Sequence, residues 1–307
     1  MKVVFFGNPL FASKCLEFLT RFKDITIELV VTNPDKRMGR GLKLKSTAVK
    51  EVATKNKIDI FESDNLESDK LISTLKDIKA DLFIVIAYRI LPKEIFSLPK
   101  LGCFNLHASL LPQYRGSSPI QYSLLNGDKK TGLTTFFIDD KVDRGRIIYQ
   151  EEISINSKIN YIDLSNIMIE NAHNVLINTI GIIKNSTLPI LLNKNLVSSF
   201  APKIQKENFL IDWNDKSSNI HNQIRALIYK GAYTLLNTKR VKFFETSYIK
   251  QIHNLGNGSF FLKNDSLYIA SKSGFLLAGK ILIEGSRKVR ASEFYNSYRK
   301  KINIFGK

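Results

Sequence analysis

VVFFGNPLFASKCLEFLTRF, residues 3–22, carries a whole strand–turn–helix unit. Val3–Phe6 is an unbroken apolar run of β-branched and aromatic side chains, which is a strand signal. Gly7-Asn8-Pro9 interrupts it, and from Phe11 to Phe22 the apolar residues recur at helical spacing. The same alternation repeats outward. Ile27–Thr32, Asp81–Ile86 and Cys103–Leu106 read as strands, with Thr47–Thr54 and Ser68–Lys76 as helices between them. Strands alternating with helices predict an α/β fold, a Rossmann-like and mostly parallel sheet with helices on both faces. Thr134–Ile138 and Ile147–Glu151 add strands, and Tyr161–Ile183 reads as a long helix closing the domain.

A chain of 307 residues is too long for one typical core, so a large domain and a smaller one are expected. Residues 1–188 form the first and 207–307 the second, with 189–206 as a linker that carries Pro189 and Pro202. In the tail Ser218–Leu227 reads as a helix. Alternating runs from Lys239 to Ile283, broken by turn signals such as Asn257-Gly258, suggest a small, OB-like β-barrel. A final helix begins near Ala291.

The net charge is +18, and the excess is denser in the tail, where 17 Lys and Arg stand against 7 Asp and Glu over residues 207–307. That favours a polyanionic partner, because each neutralised phosphate releases counterions. A composition that merely favours Lys and Asn gives the same sign, so charge alone names no partner. Cys15 and Cys103 offer neither a disulfide framework nor a metal-ligand cluster. The opening MKVVFFGNPLFA enters a strand at once without a signal-peptide pattern, and no apolar run approaches the ~20 residues of a membrane span, so a cytoplasmic protein is expected. Phe6-Gly7-Asn8-Pro9 stands where a dinucleotide-binding protein would carry GxGxxG, which argues against a nicotinamide enzyme.

Asn105 and His107 lie two apart at the end of a predicted strand, so both project from one face at the sheet edge where α/β folds place ligands. A carboxamide beside an imidazole suits acyl transfer, in which charge develops on a carbonyl oxygen and preorganised donors lower the barrier. Residues 139–147 form an acidic turn around Gly145. An aspartate there is able to hydrogen-bond His107 and fix its tautomer, and spacing leaves Asp139, Asp140 and Asp143 all open for that role.

NLHASLLPQYRG (105–116), followed by SPIQYSLLNG (118–127), resembles the signature of the folate-dependent formyltransferases, the methionyl-tRNA formyltransferases among them. The resemblance implies that Asn105, His107 and Asp143 are catalytic and that Ser109, Leu110, Leu111 and Pro112 border the folate. Ala87–Pro92, with Ile90 and Leu91, is similar to the family's A-Y-G-x-I-L-P wall of the pterin pocket, but it is one residue shorter and has lost the glycine. Between Pro34 and Lys45 stand five cations, including Lys36, Arg37, Arg40 and Lys43, against one carboxylate. This stretch resembles the basic loop that, in the tRNA enzymes, enters near the acceptor stem. Ala201-Pro202-Lys203-Ile204, Lys206 and the segments around Ile211–Trp213 and Ile220–Leu227 are similar to the family's linker and the opening of its tRNA-binding domain. Trp213 and His221 read as packing residues there. The resemblance implies 10-formyltetrahydrofolate as donor and initiator methionyl-tRNA as acceptor, with no metal, no membrane and a monomer. Relatives that formylate sugars or glycinamide ribonucleotide share the trio, so the trio does not name the acceptor.

Overall fold

The computed structural model describes residues 1–38, 41–185, 198–299 and 304–306. Residues 189–197, the first part of the stretch read as a linker, lie outside the described residues, as does Arg40. Contacts divide the chain into two compact units. One comprises Met1–Gly116, Thr131–Ile153 and Ser165–Phe200; the other comprises Ser117–Lys130, Ser154–Leu164 and Ala201–Lys307.

The first unit is built on strand β1 (Lys2–Gly7), whose Val3, Val4, Phe5 and Phe6 are fully buried, as a parallel strand covered on both faces must be. A Cβ on Gly7 would lie 2.8 Å from the Cβ of Ala12, so only glycine lets helix α1 (Leu10–Leu19) begin this close to the strand. β2 (Thr26–Thr32) is followed by a short hairpin, β3 (Lys36–Met38) and β4 (Lys43–Lys45), and then by α2 (Ala48–Lys55) and β5 (Ile60–Glu62). α2 starts where the Thr47 hydroxyl accepts from the Lys50 amide, and α3 (Asp69–Ile78) where Ser68 accepts from the Leu71 amide. Next come β6 (Leu82–Ile86), the single-turn α4 (Lys93–Phe96), β7 (Cys103–His107), α5 (Pro119–Leu125), β8 (Lys130–Phe137), β9 (Ile147–Ser154) and the long α6 (Tyr161–Lys184).

The sheet order is β5-β2-β1-β6-β7-β8-β9. Every pairing from β5 to β7 is parallel and β7–β8 is antiparallel, which makes the sheet mostly parallel as the alternation predicts. The chain leaves β1 toward β2 on one side and returns to β6 on the other. The carboxyl ends of β1 and β6 therefore flank the point where the order reverses, where such sheets bind ligands.

In the second unit α7 (Ser217–Ala226) precedes β10 (Tyr233–Leu236), β11 (Lys239–Lys250), β12 (Phe260–Lys263), β13 (Ser266–Ser271), β14 (Gly274–Ile283), β15 (Lys288–Arg290) and α8 (Ala291–Tyr298). The strands form an antiparallel sheet in the order β10-β11-β14-β13-β12, with β15 paired to β14. The described ladders leave β10 and β12 at the two ends of that order. Phe305, 2% exposed, packs 4.6 Å from Phe260, 5.3 Å from Phe243 and 5.9 Å from Trp213, ring centre to ring centre. Trp213 and His221 are both buried, and the Trp213 indole donates to Thr234 Oγ1.

Candidate active site

β7 ends beside the reversal point and carries Asn105 and His107, and its two polar side chains meet different surroundings. Asn105 is half-buried, and its side chain lines a cavity of about 310 Å³ that Asp143 also lines. The Asn105 carboxamide makes no hydrogen bond among the described residues, so its donors remain available to a bound group. His107 is 6% exposed and is not part of that wall. Its ring meets Phe136, which is, edge to face at 6.5 Å. His107 Nε2 lies 2.8 Å from the Tyr114 carbonyl oxygen. A carbonyl only accepts, so Nε2 carries a proton, and Nδ1 is the ring nitrogen left without a partner among the described residues.

Asp143 adopts the left-handed conformation, φ +52°. Its Oδ2 accepts from the Gly116 amide at 2.8 Å, and its backbone carbonyl accepts from Arg115 Nε at 2.9 Å. The other two acids of the turn also line the cavity, but their partners lie elsewhere: Asp139 accepts from the Lys141 amide, and Asp140 lies 3.6 Å from Lys93 Nζ. Of the three aspartates left open by spacing, Asp143 alone reaches the segment that holds His107. No hydrogen bond joins the two directly. Residues 114–116 intervene, with the Tyr114 carbonyl on the imidazole and the Gly116 amide on the carboxylate. Gly145 is needed for a reason other than turn freedom, because a Cβ there would collide with the Phe137 carbonyl as β9 approaches β8.

The apolar side of the cavity is formed by Tyr88, Ile90, Leu91, Phe136 and Ile138. Ile90 is 74% exposed and Leu91 is buried, so the first is an open lip and the second a floor. Where the resembling motif has glycine stands Arg89, a residue to which sequence reasoning assigns no role. Its guanidinium donates to the Ser63 and Asp64 carbonyls at 2.6 and 2.7 Å and to the Tyr88 hydroxyl at 2.9 Å. Burial pushes the Tyr88 hydroxyl above its ordinary pKa, and the Arg89 hydrogen bond opposes that. A cation inside an otherwise apolar stretch is the signal by which Arg89 was findable. Ser109, Leu110, Leu111 and Pro112 do not line the cavity. Ser109 is fully buried with its hydroxyl on the Gln113 carbonyl, and Leu111 packs with Phe136 and Ile147. Gln150 and Thr134 pin this segment through the Leu111 carbonyl and amide.

The basic loop is the β3–β4 hairpin, with Lys36 opposite Lys45 and Met38 opposite Lys43. Lys50 bridges Asp35 and Glu62 at 2.8 Å each, which occupies the one carboxylate of the loop. Lys36, Arg37, Lys43 and Lys45 are exposed and have no ion pair among the described residues. Lys206 is an exposed residue of the second unit. Among the described residues no group of three or more His, Cys, Asp or Glu could hold a metal ion, and no helix is long and apolar enough to cross a membrane.

Residues 1–180 match the family described as Formyl transferase, and residues 203–299 match Formyl transferase, C-terminal domain. The chain belongs to the formyl transferase family. It is 35% identical to a methionyl-tRNA formyltransferase of Flavobacterium johnsoniae, over 96% of both chains. It is 36% identical to one of Caldicellulosiruptor saccharolyticus, over 98% of both. Among solved structures, it superimposes with TM-score 0.63 on a sugar 3N-formyl transferase determined with dTDP and 5-N-formyl-THF, at 23% identity over 94% of this chain and 99% of that one. An N-formyltransferase from Helicobacter canadensis, in complex with folinic acid and dTDP-3-aminofucose, gives 0.61 at 25% identity over 91% and 98%.

Proposed function

We propose that this chain transfers the formyl group of 10-formyltetrahydrofolate to the free amino group of methionyl-tRNA, the initiator species, in the cytoplasm and as a monomer. The observation that carries the reading is the Asn105 carboxamide, unpartnered among the described residues at the carboxyl end of β7 and sharing its cavity with Asp143. The cavity volume falls at the lower end of the range for small-ligand sites and suits one heterocycle against the Ile90–Leu91 wall. Within Ser109–Pro112, Leu111 supports that wall by packing on Phe136.

The neutral amine attacks the formyl carbon, a carbon–nitrogen bond forms, and the bond to N10 breaks. An α-amino group, with a reference pKa of about 7.7–8.0, is partly neutral near pH 7. Asn105 donates to the developing oxyanion. The His107 nitrogen not engaged by Tyr114 relays the proton lost by the amine toward N10. Asp143 supports this through the segment both residues share. Residues 1–188 perform the chemistry. Residues 207–307, with Lys206 and Lys36, Arg37, Arg40 and Lys43 of the basic stretch, hold the tRNA phosphates.

The test is transfer of labelled formyl from the folate, with methionyl-tRNA and an amino-sugar nucleotide offered side by side. Product on the tRNA alone is expected. Product on the sugar alone replaces the acceptor, and none on either ends the reading.

A further inference from the structure

The imidazole and the carboxylate of the site are both held by backbone groups of residues 114–116: the Tyr114 carbonyl on His107 and the Gly116 amide on Asp143. Arg115 adds its guanidinium to the Asp143 carbonyl. Such a loop orients its clients only as well as it is itself held. Tyr114 sits at φ +59°, a left-handed conformation that a bulky L-residue rarely keeps unless its neighbours fix it. What fixes it comes from far along the chain. Ser199 Oγ accepts from the Tyr114 amide at 2.9 Å, and the Ser199 carbonyl accepts from the Arg115 amide at 2.9 Å. An isolated parallel bridge joins Arg115 to Phe200. Ser199 is half-buried and does not line the cavity of Asn105 and Asp143, so nothing about its own surroundings marks it as part of the site.

We propose that Ser199 is a positioning residue for the formyl-transfer site. It clamps residues 114–116 in the conformation that presents one carbonyl to His107 and one amide to Asp143. It touches no substrate, and its effect passes through the tautomer and orientation of the imidazole. Without the hydroxyl, the Tyr114 amide loses this acceptor. Water can take the hydrogen bond but does not hold the backbone, so the Tyr114 carbonyl no longer selects Nε2 as the protonated nitrogen.

The inference rests on the reading of Asn105, His107 and Asp143 as the reacting groups, and its test has one arm that does not need that reading. The chain has four histidines, so nitrogen NMR of the imidazoles in the full-length protein is tractable, with His107 assigned by the signals lost in His107→Gln. In Ser199→Ala the His107 ring nitrogens should move toward the average of the two tautomers, while those of His173, His221 and His253 stay put and report an intact fold. Ser199→Thr, which keeps the hydroxyl, should return them to their original positions. In steady-state assays Ser199→Ala should lower kcat roughly 3–10-fold, the scale of one lost hydrogen bond, with both KM values within about twofold. His107 signals in Ser199→Ala that coincide with wild type overturn the proposal, as does a threonine variant as impaired as the alanine one. A wild-type protein that transfers no formyl group, yet shows the shift, removes the functional reading and leaves the clamp standing.

Discussion

Asn105 and His107 occupy one strand end, yet the first lines the cavity, while the second, 6% exposed, rests one nitrogen on the Tyr114 carbonyl and its ring edge on Phe136. Their roles should separate accordingly. On the proposed mechanism Asn105→Ala removes a donor whose target is charged only in the transition state, so kcat should fall roughly 10²–10³ while KM for the folate barely changes. A loss under about threefold in folded protein takes Asn105 out of the reaction. Arg89 ties the shortened Ala87–Pro92 wall to the Ser63 and Asp64 carbonyls, and Arg89→Ala should raise KM for the folate roughly tenfold and leave KM for the tRNA alone. Equal KM values in variant and wild type would leave this tie without a part in folate binding. Burial pushes the Cys15 thiol up to about 12 and that of Cys103 higher still, so both stay protonated and serve as small core side chains. At this scale the place of Asn105 on β7, beside the cavity, was legible, because the side-chain pattern announces a polar group near a strand end. The partner of His107 was not, because it is a backbone carbonyl, and backbone acceptors leave no trace in composition. Neither did spacing choose Asp143, whose reach to Gly116 depends on a left-handed φ.

Elements were legible where local chemistry sets them. The buried β-branched strands and the helices capped by Thr47 and Ser68 follow from short-range rules. The β3–β4 hairpin did not, because strands of only three residues are too short for a periodicity to stand out. Its register sets Lys36 against Lys45, a repulsive pair that an anion relieves, and Lys50 has already taken Asp35. Lys36→Ala with Lys43→Ala should therefore weaken use of charged tRNA. It should also flatten the dependence of log KM on log salt, by about 0.7–0.9 for each phosphate no longer neutralised. An unchanged slope would separate the hairpin from the tRNA. In α7, burial lowers the pKa of His221, which bonds Thr246 and the Ser157 carbonyl. A depressed folded pKa means that the unfolded chain takes up the proton first. Stability is then complete above the unfolded value of about 6.5 and is lost as pH falls from there toward the lower folded value. The melting temperature should drop on acidification through this window, and less steeply in His221→Gln. Parallel slopes would mean that His221 takes up its proton equally in the folded and unfolded states.

Across the whole molecule the sequence divides the chain once, near residue 206, whereas the contacts gather Ser117–Lys130 and Ser154–Leu164 with Ala201–Lys307. Hydrophobic periodicity has no means of showing this, because the groups involved are up to 101 positions apart. The centre of the grouping is Arg225, 6% exposed on α7. Its guanidinium donates to the Leu124, Asn156 and Ile159 carbonyls, and its Nε to Asn222 Oδ1. One planar cation thus holds the end of α5 and the segment before α6 to α7, a geometry that the forked donors of arginine fit and a lysine does not. Removing residues 207–307 would strip both segments of this partner, so such a truncation tests stability as well as tRNA binding. Arg225→Ala isolates the first effect. It leaves several carbonyls half-satisfied in a buried place, at a cost of about 2–4 kcal/mol, which for a chain of this size lowers the melting temperature by roughly 3–6 °C. Arg225→Lys should recover only part of that. Calorimetry of the full-length variants decides the matter, and an alanine variant that melts with wild type would show that residues 117–130 and 154–164 keep their places without the guanidinium.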